Sequence, residues 1–139
     1  MVHIVRALFL LEVVVNAFSG PMMMLAPELG LGDILGTPME DATVEASRWA
    51  GSMIFAFGSV LLGRALYTEA ATLRLVLEAF LVGDVCYTAI VARWCWRHQL
   101  LTNPAAAFTV WFSVILGIAR VAAISDIRLA MASDALHRD

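Results

Sequence analysis

The sequence predicts an all-α integral membrane protein: a four-helix bundle with both termini on the same side of the bilayer. Three observations predict it. Hydrophobic residues make up 61% of the 139 residues and the mean hydropathy is +0.83, against roughly 45–50% apolar in an ordinary soluble domain. Four apolar runs, at 4–25, 44–67, 73–97 and 104–128, are each long enough to cross hydrocarbon as a helix. Arginine is unevenly placed between the ends of these runs. The terminus side carries Arg6, Arg64, Arg74, Arg128 and Arg138, while the other has Arg48, Arg93 and Arg97 among Glu28, Asp33, Glu40, Asp41 and Glu45. An arginine excess marks the cytoplasmic side, so both termini are expected there. The membrane would be the endoplasmic reticulum in a eukaryotic cell and the inner membrane in a bacterium.

One domain fits the length. A net charge of −3 lacks the basic face that a nucleic-acid partner requires. All nine basic residues are Arg; nothing in the physics of the chain explains the absence of Lys.

The first run starts near Ile4. As a helix it lines up Val5, Leu8, Glu12, Asn16 and Ser19 on one face, with Glu12 and Asn16 as i,i+4 neighbours. A signal peptide is the alternative, with Arg6 as its basic start and Ala17-Phe18-Ser19 as its cleavage site, but Glu12 interrupts the apolar stretch it needs. Gly20-Pro21 is expected to kink or end the helix.

Residues 27–41, PELGLGDILGTPMED, hold three glycines and no basic residue, and predict a loop. Leu31, Ile34 and Leu35 are apolar enough to lie across one mouth of the bundle, as a lid or as interfacial packing. Thr37-Pro38-Met39-Glu40 has the pattern of a helix start: Thr as N-cap, Pro at the first position, Glu closing a capping box.

On the second helix Asp41, Arg48, Ser52, Phe55 and Ser59 share a face. Ser47, Gly51 and Gly58 form a neighbouring stripe of small residues that lets another helix approach closely. The short turn at 68–72 makes the second and third helices antiparallel neighbours.

The third helix is the one around which the reading turns, because Asp84 sits near its middle. A carboxylate in hydrocarbon costs a few kcal/mol, so it faces a bundle interior, a partner or a wet cavity. Leu77, Asp84, Tyr87, Thr88, Val91 and Cys95 share that face. Arg93, Trp94, Trp96, Arg97 and His98 form a headgroup-level belt beyond it. Asn103-Pro104 opens the fourth helix, on which Thr109, Ser113, Leu116 and Arg120 share a face. The tail from Ala132 is polar and is expected to fray.

At 1.5 Å per residue from the terminus side, Glu12 and Arg120 both fall about 12 Å deep, and Asn16 and Asp84 about 18 Å. Ser59 lies near the first level and Tyr87 about 4 Å beyond the second. Four helices thus bring polar groups to matched depth. Two acids beside one deep cation form an arrangement in which one ionises against the guanidinium while the other retains its proton, the pairing that general acid–base chemistry needs.

The catalytic candidates are therefore Glu12, Asp84 and Arg120, with Asn16, Tyr87, Ser59, Ser113 and Trp49 as substrate-binding candidates. The substrate would be a lipophilic small molecule, and the reaction an epoxide opening or hydrolysis, a cyclisation or an isomerisation. No cofactor is implied. Cys86 and Cys95 stand about 13 Å apart along one helix, too far to pair with each other. No Cys/His cluster suggests a metal.

Ala46-Ser47-Arg48-Trp49-Ala50-Gly51 resembles the Arg-aromatic-Gly opening of the second span in the small ergosterol-pathway scaffold protein. In size, span number and intramembrane acids the chain is also similar to the emopamil-binding and sigma-two-receptor class of sterol isomerases and binders. Small fungal membrane epoxide hydrolases and cyclases are a third likeness, in size and logic. The sterol isomerases carry additional His and acidic residues in their spans, whereas His3, His98 and His137 lie outside the runs here. None of these resemblances carries catalytic residues over.

The alternative to an enzyme is a non-catalytic assembly subunit or scaffold of a larger membrane complex, in contact with lipids and with a membrane-protein partner or further copies of itself. In that reading Glu12, Asn16, Asp84 and Arg120 tie helices together. A carrier is disfavoured by the lack of an inverted repeat. A cavity reaching Glu12 and Asp84 separates the readings, since an enzyme needs one and a scaffold does not.

Overall fold

The computed structural model describes residues 3–35 and 38–136. Among them there are helices and short connections, and no strand. In order they are α1 (His3–Leu25), α2 (Pro27–Leu35), α3 (Asp41–Met53), a π-helical segment (Ile54–Leu61), α4 (Leu62–Ala65), α5 (Ala70–Arg97), a 3₁₀ turn (Leu100–Thr102) and α6 (Pro104–Leu136).

Three segments are long and apolar enough to cross a membrane: Val5–Leu25, Ala70–Arg97 and Ala106–Ser133. They make the chain an integral membrane protein. Their outer surfaces are largely apolar, with Leu11, Val14 and Phe18 on α1, Val82, Val85 and Ile90 on α5, and Trp111, Ile115 and Ile118 on α6 all exposed. In water such a surface would far exceed the few hundred Å² that soluble monomers leave uncovered. The remaining apolar run is helical across 41–65, but its middle two turns are π-helical.

Several expectations are corrected here. The predicted loop at 27–41 contains α2. Pro27 takes its first position, where a missing N–H costs nothing, and Glu28 follows in the first turn. The backbone carbonyl of Ala26 accepts from Leu29 and Gly30. Gly30 and Gly32 therefore do not prevent a helix whose start is so well formed. α2 packs against α1, α3 and α6, with Leu31 partly buried; the side chains of Ile34 and Leu35 lie outside the described residues.

The capping box does not start the next helix, which begins at Asp41 with Glu40 at its N-cap position; Thr37 is outside the described residues. Instead Glu28 reaches across to accept the Met39 backbone N–H at 3.3 Å. Pro21 does not end α1, which runs through to Leu25. At the other terminus α6 continues to Leu136, well into the tail expected to fray.

The inward face of the second helix also differs. Ser47, Gly51, Gly58, Ser59, Leu62 and Ala65 are its buried residues, so the small-residue stripe faces inward. Asp41, Arg48 and Phe55 are exposed. The wider π turn places Gly58 and Ser59 inside together. Nor are the second and third helices neighbours along their length: α4 meets α5 around the turn, and α5 packs on α6 instead.

The helices thus form two pairs, α1 with 41–65 and α5 with α6, joined through α1 and α6. The apolar core gathers where Phe9, Leu62, Leu66, Leu73, Leu77, Ala123 and Ile127 meet. Those residues come from the start of α1, the end of α4, the start of α5 and the later half of α6, so successive long helices alternate in direction.

Candidate functional site

Among the described residues Arg120 is the largest fully buried side chain. On α6 it follows Ser113 and Leu116 at helical spacing, and all three are buried. Its guanidinium bridges the two pairs of helices. Nη1 donates to the Asp84 carboxylate on α5, and Nη2 donates to Glu12 on α1. Glu12 and Arg120, placed at one depth from the sequence, therefore do meet, and Asp84, placed at the next level, joins them.

Two aromatic rings close the cluster. The guanidinium carbon lies 5.7 Å from the centre of the Phe9 ring and 5.1 Å from that of Phe80, within cation–π range. Both rings stand one turn before an acid, Phe9 three residues ahead of Glu12 and Phe80 four ahead of Asp84. That spacing was legible as a shared face, although the sequence reading passed over it. Asp84 also rests on Gly117, where an added Cβ would lie 3.9 Å from the Asp84 Cβ.

The two acids differ in access. The Glu12 side chain is 6% exposed and that of Asp84 is 17% exposed. Glu12 Oε2 and Arg120 Nε are buried and make no hydrogen bond among the described residues. One guanidinium thus serves two carboxylates and still leaves a donor and an acceptor unspent.

The remaining predicted residues divide. Ser59 and Ser113 are buried. Asn16 makes no bond to Asp84; its amide lies instead over Gly58, where a Cβ would fall 3.1 Å from the Asn16 Cβ. Tyr87 is 46% exposed and Trp49 72% exposed, so neither joins the cluster. Tyr87 sits three residues past Asp84, which on a helix turns it to the outer edge of the face that Leu77 and Cys95 bury.

Two surface grooves stand out. One lies where α1, α2 and α3 meet, around Pro27, Val44 and Arg48; the other lies on the α5–α6 seam between Glu78 and Arg128. Neither includes Glu12, Asp84 or Arg120. Among the described residues no group of His, Cys, Asp and Glu has the makings of a metal site.

No protein-family model, curated protein or solved structure matches the chain.

Proposed function

We propose that the chain is a four-span membrane protein with both termini cytoplasmic, and that it works as a non-catalytic assembly subunit of a larger membrane complex. The observation that carries this reading is the outer face of α5. In its spanning window only 6% of residues are buried, and Ala79, Gly83, Cys86 and Ile90 are exposed along one side. A Cβ added at Gly83 would meet nothing within 4 Å, whereas Gly20, Gly51 and Gly58 are all filled by neighbouring helices. Small residues in membrane helices serve close helix approach, and at Gly83 the chain itself supplies no helix. The ion cluster supports the same reading, since both acids are bound to one arginine that two phenylalanines cover.

Cross-linking at the native Cys86, which is exposed on this face, tests it. In intact membranes an adduct of defined mass is expected, and Gly83→Leu should abolish it while leaving the monomer folded. Free labelling of Cys86 from the lipid, with a monomer in mild detergent, would refute the proposal. Reporter fusions near the two termini test the topology, which fails if they report opposite faces.

A second reading has its own observation. The unspent Glu12 Oε2 and Arg120 Nε, with Asp84 still reachable at its edge, suit an enzyme that does acid–base chemistry on a lipophilic molecule. Its site would have to open for substrate, and Glu12, Asp84 and Arg120 would carry the reaction. Lipophiles co-purifying with the wild type and absent from a Glu12→Gln, Asp84→Asn double variant would favour it. A folded double variant that retains its lipophiles would count against it.

A further inference from the structure

The α5–α6 groove lies on the lipid-facing side of two spanning helices. Its cavity volume is about 330 Å³, at the small end of the roughly 300–1,000 Å³ typical of ligand sites. Leu81, Val82, Val121 and Ile124 line it in the spans, and Glu78 and Arg128 stand at the end nearer the termini.

That end carries more positive than negative charge. Glu78 Oε1 accepts from Arg128 Nη2 at 2.7 Å and lies 3.6 Å from Arg74 Nε. One carboxylate is thus shared by two guanidinium groups. Among the described residues Arg74 Nε is buried and makes no hydrogen bond, and the Arg128 side chain is 62% exposed. An apolar channel in the span, ending in a cationic pair, matches one chemistry: a fatty acyl chain below an anionic headgroup.

We propose that this groove holds an acyl chain of an anionic phospholipid whose phosphate is bound by Arg74 and Arg128. Glu78 holds both guanidinium groups in place when the lipid is away. A zwitterionic headgroup would bring its own cation against Arg128 and is disfavoured. The orientation follows from the groove, because Arg128 lines its polar end, Arg74 stands beside the same Glu78, and no charged residue lines its apolar part.

The test compares phosphatidylglycerol with phosphatidylcholine, added to the detergent-purified protein and read by native mass spectrometry and by thermal stability. Phosphatidylglycerol should be retained more strongly, by about fivefold for each arginine engaged. Arg74→Gln with Arg128→Gln should bring the two lipids level. Arg64→Gln, at the same end of the bundle but outside the groove, should leave the preference intact. Val82→Trp fills the channel without touching charge and should reduce retention of both lipids. Equal binding of the two lipids by the wild type overturns the proposal. So does equal loss of preference in the Arg64 variant, which would mean diffuse surface attraction. Should the double variant misfold, Arg128→Gln alone, at an exposed side chain, gives the same comparison at half the expected effect.

Discussion

Along the seam between α1 and the 41–65 helix, backbone meets backbone. A Cβ added at Gly51 would come within 2.6 Å of the Gly20 carbonyl oxygen and 2.9 Å of the Met24 nitrogen, and one at Gly20 within 2.9 Å of the Gly51 oxygen. Along the seam between α5 and α6, side chains hold the helices: Leu77 and Leu116 in the core, Asp84 over Gly117, and Glu78 to Arg128 outside. Lipid offers helices no hydrophobic reason to associate, which leaves close packing and polar contacts to do it. The first pair relies on backbone packing, the second on side-chain packing with polar contacts beside it. Among the described residues the ion pair from Arg120 to Glu12 is the one charged link between the pairs, so the cluster holds together two units that are each joined differently.

The most severe way to break this arrangement is Arg120→Met. The thioether fills much of the space but leaves Glu12 and Asp84 buried without a cation, and removing one partner of a buried ion pair costs about 3–5 kcal/mol. Thermal or detergent unfolding should show that loss. Engineered cross-links between α1 and α6 should disappear before those at the Gly20–Gly51 contact do. Glu12→Gln should be much milder, because Arg120 and Asp84 then balance one to one and the amide still accepts a hydrogen bond. Equal losses in the two variants would show that the cluster is not a charge-balanced tie.

Glycine substitution probes the other seam. Gly51→Ala has backbone on the far side of the new methyl, so one helix must shift, and overpacking of this kind costs about 1–3 kcal/mol. Gly83→Ala has open space, and replacing a helical glycine should leave stability unchanged or raise it by up to about 1 kcal/mol. Unfolding of the two variants side by side checks this. A loss at Gly83 in the isolated chain would mean that its face is already occupied there.

Where the sequence was informative, periodicity and depth did the work. Thr109, Ser113, Leu116 and Arg120 were placed on one face and lie partly or fully buried, and Glu12 and Arg120 were matched in depth and meet. These readings succeed because regular helices repeat and rise uniformly. They fail where the repeat changes. The π-helical turns at 54–61 bury Ser59 beside Gly58, and no residue in IFAFGSV announces that change. Counting depth also says nothing about who sits beside whom, so Asn16, placed level with Asp84, lies over Gly58 instead. The loop reading of 27–41 failed over 27–35 for a different reason: the glycines outweighed a Pro-Glu start that was there to be read.

The smallest expected effect belongs to Glu78→Gln. Glu78 is one-third exposed and Arg128 nearly two-thirds, so their pair is screened by water and salt and should contribute about 0.2–1 kcal/mol. If side-chain packing at Leu77 and Leu116 is what joins α5 to α6, the variant should unfold within that margin of the wild type, and the difference should vanish in high salt. A larger, salt-insensitive loss would mean that charge holds this seam as well as linking the pairs. The same variant acts on the groove in the opposite sense. Removing the carboxylate frees Arg74 and Arg128, so retention of phosphatidylglycerol should rise while stability in detergent alone falls slightly. A packing role predicts a fall in both, and measuring the two quantities on one preparation separates these outcomes.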